Sequence, residues 1–154
     1  GGMYSQAGPL VRQMRQIGIT ARLMGGDGIC APIMAKVAGD AVNGTICAQG
    51  GVPLSELPKG KAWKARYDTE FGAAAFQLYS PNAFDAAMVL AHAMMKAGSS
   101  DPKVYLPHIR HIDYDGVTDS DIHFTATGEL ADPSITLSEF EHGVKVPLAV
   151  EQVR

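Results

Sequence analysis

Thr20-Ala21-Arg22-Leu23-Met24-Gly25-Gly26-Asp27-Gly28 is the stretch on which the fold turns. Its first five residues read as a short strand, and three glycines around one acid read as a turn. Residues 29–38 then read as a helix closing at Gly39, and residues 45–48 as a further short strand. A strand, a tight turn, one helix and another strand are the sequence form of a parallel sheet, because parallel neighbours need a crossover connection. The predicted class is α/β.

Upstream, Leu10, Val11, Met14 and Ile17 fall at i, i+1, i+4 and i+7 of a helix that starts near Ser5 and stops at Gly18. Downstream, Gln49-Gly50-Gly51-Val52-Pro53 and Pro58-Lys59-Gly60 read as a crossing or hinge. Trp63, Tyr67 and Phe71 then share one helical face. Ser80 as N-cap, Pro81 at the first helical position and Gly98 just past the end bound a long helix marked by Phe84, Met88, Ala91 and Met95. Ala87, Val89, Leu90 and Met94 make it apolar nearly all round, which predicts burial on several sides. A shorter helix over 102–111 and strands over 122–125 and 135–140 follow; from Val144 onward no pattern emerges.

The chain has 154 residues, a formal net charge of −3, 46% hydrophobic and 19% charged residues. That suits one ordinary domain or two small ones and excludes a basic nucleic-acid arm. A chain of this length buries roughly 70% of its unfolded surface, so it needs no metal or disulfide staple. Its most apolar stretch, 83–97, is broken by Asp85, His92 and Lys96 and falls short of the roughly 20 apolar residues that cross a bilayer. The first methionine is residue 3, behind Gly1 and Gly2, so an upstream portion is expected to be missing. A leader peptide therefore cannot be used to argue the compartment.

Asp27 stands at the carboxyl end of a predicted strand, where open α/β sheets hold ligands, and an acid there suits a cation. The plainer reading is a helix cap at the positive end of the helix dipole. Cys30 and Cys47 lie on adjacent predicted elements. They read either as a bridge, worth roughly 3 kcal/mol in the chain-entropy account, or as two buried thiols. His108, His111, Asp113, Asp115, Asp119, Asp121 and His123 are the densest set of possible metal ligands. They lack both the calcium-loop order and a His-Glu-x-x-His helix, so a solvated turn is expected and no metal. No phosphate-cradling glycine loop, nucleophile elbow or thiol-protease signature occurs, so no cofactor and no enzymatic chemistry are expected.

Met24-Gly25-Gly26-Asp27-Gly28, Ala38-Gly39-Asp40-Ala41, Tyr79-Ser80-Pro81-Asn82-Ala83-Phe84-Asp85-Ala86, Lys96-Ala97-Gly98-Ser99 and Tyr114-Asp115-Gly116-Val117-Thr118 follow one another in an order and spacing that carry a resemblance. With Gly1-Gly2-Met3-Tyr4 and Arg15-Gln16-Ile17-Gly18 ahead of them, the chain resembles the C-terminal half of periplasmic leucine/isoleucine/valine-binding proteins. These are type I periplasmic binding proteins of ABC transporters.

The resemblance implies two partial lobes, each a parallel sheet with helices on both faces, closing like a hinged trap. Residues 1–49 would belong to the C-terminal lobe, 50–131 to the N-terminal lobe, and 132–154 would return. It further implies that Asp27 takes a ligand's α-ammonium, while the family's aromatic falls on Met3 or Tyr4, with Met3 favoured by counting back from Asp27. The carboxylate-holding groups would lie in the missing half. Asp119, where relatives carry glycine, implies altered turn chemistry. Periplasmic residence favours the Cys30–Cys47 bridge. The implied partners are a small amino acid and a membrane permease, with no nucleic acid. Two alternatives are a self-associating fragment that binds no ligand, and a sensory or amide-binding receptor domain on the same scaffold.

Overall fold

The computed structural model describes residues 2–153. The chain divides into two compact units, one of residues 2–51 and 134–153 and the other of residues 52–133.

The first unit opens with α1 (Tyr4–Gln16), which follows Met3 as its N-cap. The Met3 amide donates to Gln6 Oε1 at 3.2 Å, satisfying one of the donors that a helix start leaves free. Ala7, Gly8 and Val11 form its buried face. A Cβ on Gly8 would stand 2.5 Å from Val37 Cγ1 of α2 (Ile33–Ala38), so glycine sets how closely the two helices approach. The second helix starts later than residue 29. Pro32 disfavours a helical conformation for the residue ahead of it, so Asp27–Ile29 form a separate 3₁₀ turn and α2 begins only at Ile33.

One sheet carries β1 (Met24–Gly25), β2 (Ile46–Gly50), β3 (Ser134–Glu141) and β4 (Val144–Gln152), in that spatial order. Only β1 and β2 are parallel; β3 and β4 run antiparallel to their neighbours. The expectation of wholly parallel sheets is thus corrected to a mixed sheet. The physical reason is the two-residue turn at His142 (φ 51°) and Gly143 (φ 76°), a left-handed pair that admits only an antiparallel hairpin. The core gathers Val11, Met34, Val42, Cys30, Cys47 and Phe140, all fully buried.

Thr45 is fully buried with them, and its hydroxyl has no hydrogen-bond partner among the described residues. An orphaned buried hydroxyl costs about 1–3 kcal/mol, so Thr45→Val is expected to stabilise this unit by about 1 kcal/mol in urea unfolding. A loss of stability would show that the hydroxyl is satisfied.

The second unit is helical: α3 (Pro58–Phe71), α4 (Ser80–Ala97) and α5 (Pro102–Ile109). The sequence reading of Pro58 as hinge punctuation is corrected, since proline begins α3. Trp63, the single tryptophan, is buried against Tyr67 and Phe84 at ring distances of 5.1 and 5.4 Å. Lys64 Nζ lies 4.4 Å over the Phe76 ring. Asp101 caps α5 by accepting the Lys103 amide at 2.9 Å, and Gly98 takes the left-handed conformation that ends α4.

Two more expectations are corrected here. The strand over 122–125 reduces to the single bridges Tyr114–Ile122 and Phe124–Leu130, and among its described residues this unit holds no longer strand. Nor is α4 buried on several sides. Pro81, Asp85, Val89 and Ala93 line its buried face, whereas Phe84, Leu90 and Met95 are exposed.

Candidate functional site

Asp27 sits two residues past β1 and opens the 3₁₀ turn Asp27–Ile29. Within the turn, Ile29 N–H donates to Gly26 O at 3.2 Å and Cys30 N–H to Asp27 O at 2.9 Å. The Asp27 side chain is exposed and caps nothing, and among the described residues no cation pairs with it. A carboxylate in that state is open to a ligand's positive charge.

Met3 comes back to the same turn. A Cβ on Gly28 would stand 2.9 Å from Met3 Sδ and 2.6 Å from Gly2 O, so only glycine lets the chain start lie against the residue after Asp27. Met3 is 45% exposed, and Tyr4, the first residue of α1, is half-buried. The structure therefore sets Met3, with its flexible thioether, against Gly28, the residue that follows Asp27.

Behind the acid, Gly28, Ile29 and Cys30 are buried. A disulfide joins Cys30 to Cys47 of β2, with Cα atoms 5.4 Å apart. The turn that carries Asp27 is thereby tied covalently to the sheet.

The histidine and aspartate set from 108 to 123 scatters. His108, His111 and Asp113 share an open cleft of about 470 Å³ with His92 and Lys96. Asp115 pairs with Lys59, while Asp119 accepts the Asp121 amide at 3.0 Å in a local turn. Among the described residues no three of these groups assemble as metal ligands.

His123 lies between Asp121 and Asp132, with Nδ1 3.1 Å from the Asp121 carbonyl and Nε2 3.7 Å from Asp132 Oδ2. The carbonyl contact, helped by both carboxylates, raises its pKa above the ordinary histidine value. A raised folded pKa contributes stability that is full below about pH 6.5 and disappears as pH rises through the folded value. An NMR titration of His123 is expected to give a midpoint above 6.5, moving down in Asp132→Asn. A midpoint at or below 6.5 would contradict the geometry.

Asp85 is the group that the sequence reading did not single out. It is 2% exposed on α4. Its carboxylate accepts Val117 N at 3.0 Å, Thr118 N at 2.8 Å and Thr118 Oγ1 at 2.6 Å. A Cβ on Gly116 would meet Asp85 Oδ2 at 2.7 Å, so Gly116-Val117-Thr118 closes around the acid as a fitted nest. The available signal was the one acid on a mostly apolar helix, since a buried carboxylate must be hydrogen-bonded. Its role is to fix the loop.

A family profile described as periplasmic binding protein matches residues 2–144. The chain is 40% identical over 103 residues to the Leu/Ile/Val-binding protein homolog 1 of Brucella abortus, covering 67% of this chain and 27% of that protein. It is 29% identical over 144 residues to the leucine-, isoleucine-, valine-, threonine-, and alanine-binding protein of Pseudomonas aeruginosa, covering 91% of this chain and 37% of that one. Among solved structures, the leucine binding protein LivK of Thermotoga maritima superposes with a TM-score of 0.84 at 26% identity, over 97% of this chain and 42% of that one. These relatives are named as binding proteins, not enzymes. The chain spans less than half the length of each of them, and by the profile that covers nearly all of it, it belongs to the periplasmic binding protein family.

Proposed function

We propose that this chain is the ammonium-holding part of an extracytoplasmic receptor for a branched-chain or other small amino acid, delivering its ligand to an ABC-transporter permease without chemical change. In this reading Asp27 meets the α-ammonium, and Met3, with Tyr4 beside it, forms the apolar wall against the side chain. The observation that carries it is an exposed carboxylate with no partner among the described residues, on a turn that a disulfide ties to the sheet and whose next residue, Gly28, lies against Met3. The disulfide supports an oxidising compartment such as the periplasm. Residues 2–51 and 134–153 would be the chain's share of the C-terminal lobe, and 52–133 its share of the N-terminal lobe.

An exposed ion pair contributes about 0–1 kcal/mol, so the isolated chain is expected to bind leucine no tighter than millimolar. The test separates the two ends of the ligand. An attraction of about 1 kcal/mol corresponds to a dissociation constant of about 0.2 M, so at about 200 mM isoamylamine is expected to shift the Asp27 and Gly28 amide resonances and the Met3 methyl, and isovalerate at the same ionic strength to leave them in place. Asp27→Asn removes the amine response. Micromolar binding of leucine by the chain alone, or an amine response that survives Asp27→Asn, would overturn the reading.

A further inference from the structure

In the second unit the ends of α4 and α5 gather polar side chains that the fold itself does not use. His92 and Lys96 lie one turn apart on α4, His108 stands in the last turn of α5, and His111 and Asp113 follow it. All five line the open cleft of about 470 Å³, along with Ala93 and Ile112. Among the described residues none of these five side chains makes a hydrogen bond or an ion pair. By contrast Lys59, Lys64 and His123 of the same unit each meet a carboxylate. His92 has only a ring neighbour, Tyr114, with centroids 5.2 Å apart.

The donor set decides the charge of what fits. An ammonium offers three donors and each imidazole at least one, against a single carboxylate. A metal ion needs several ligands converging, and no three of these groups converge among the described residues; it would also meet Lys96. The carbonyls that end α4 do not repel an anion unopposed, since Met95 O and Met94 O accept the Gly98 and Ser99 amides, each at 3.2 Å. No arginine lines the cleft, so the donors are point-like and come from three segments, which suits a tetrahedral phosphoryl group better than a planar carboxylate. The volume lies within the range of small-molecule sites, about 300–1,000 Å³, and leaves room for a carbon skeleton against Ala93 and Ile112.

We propose that this cleft binds a small phosphate monoester, its phosphoryl oxygens accepting from Lys96, His92, His108 and His111. It owes nothing to Asp27, which belongs to the first unit. The charged and titratable groups facing the imidazoles are Lys96 of α4, with Asp113 and Tyr114 of the segment after α5; Arg110 does not line the cleft. Asp113 opposes the anion, and protonated imidazoles strengthen the grip, so binding weakens as pH rises through the ordinary histidine range.

The test is proton NMR of the five histidine rings at about pH 6, with glycerol 2-phosphate added at an ionic strength held constant with sodium chloride. His92, His108 and His111 are expected to shift together and saturate with a dissociation constant of about 1–10 mM, as four exposed contacts of modest strength allow. His123 and His142 should stay in place. Lys96→Gln and His108→Gln are each expected to weaken binding by about threefold or more, and Asp113→Asn to tighten it. Inorganic sulfate, whose charge is fixed, should bind about fivefold or more weakly at pH 8 than at pH 6. Circular dichroism checks that each variant folds. Shifts that do not saturate by about 100 mM, equal shifts at His123 and His142, succinate binding as tightly as the ester, or a Lys96→Gln variant that binds like the parent would each overturn the proposal. Equimolar zinc chloride moving these three rings where the ester does not would give the cleft to a cation instead.

Discussion

Reducing the Cys30–Cys47 bridge is expected to destabilise the first unit by about 3 kcal/mol, the loop-closure value for a separation of 17 residues. Small domains are held by only about 5–15 kcal/mol, so this is a large share of the total. The unit is also poorly placed to absorb it, with Leu10, Ile17 and Met24 facing water. Dithiothreitol, or Cys30→Ala with Cys47→Ala, should therefore release amide protection at Val11 and Phe140 well before Trp63 fluorescence changes in the second unit. Equal stability in the oxidised and reduced forms would refute this.

The second large effect belongs to Asp85. Replacing it with alanine removes the acceptor for two backbone amides and the Thr118 hydroxyl, three charge-assisted hydrogen bonds in a buried place. A loss of roughly 3 kcal/mol is expected, read as a lower urea midpoint of Trp63 fluorescence. Asp85→Asn keeps one acceptor oxygen and should lose about half as much. Gly116→Ala, which drives a methyl into Asp85 Oδ2 and Ile122 Cδ1 at 2.7 Å, should destabilise in the same direction. If Asp85→Ala melts like the parent, the loop is not held by the acid.

Where local chemistry alone decides a feature, it could be read from the residues. Pro81 and Gly98 bracket α4, the glycine-rich turn follows β1, and the strand read over 135–140 is β3, although it is Ser134, Thr136 and Ser138 that are buried while Ile135 and Leu137 are half-buried. What escaped depends on distant partners. Pro147 hides β4, since proline argues against a strand unless that strand is known to lie at an edge. Mixed pairing escaped because 83 residues separate Gly50 from the start of β3 at Ser134, a return that no local periodicity reports. The exposure of α4 escaped because apolar composition states what a helix could bury, not what is present to cover it. At the candidate site, residue type and turn position pointed to Asp27. The approach of Met3 to Gly28 needed coordinates, and Asp85 looked like any helix acid until its donors appeared.

The covalent tie behind the glycine-rich turn has a mechanical consequence. With Gly28 to Cys30 packed away and Cys30 fastened to the neighbouring strand, Asp27 projects from an anchored stem. A cation meeting it has only two carboxymethyl torsions to quench, rather than a floppy segment whose every residue would forfeit about 1–2 kcal/mol of freedom.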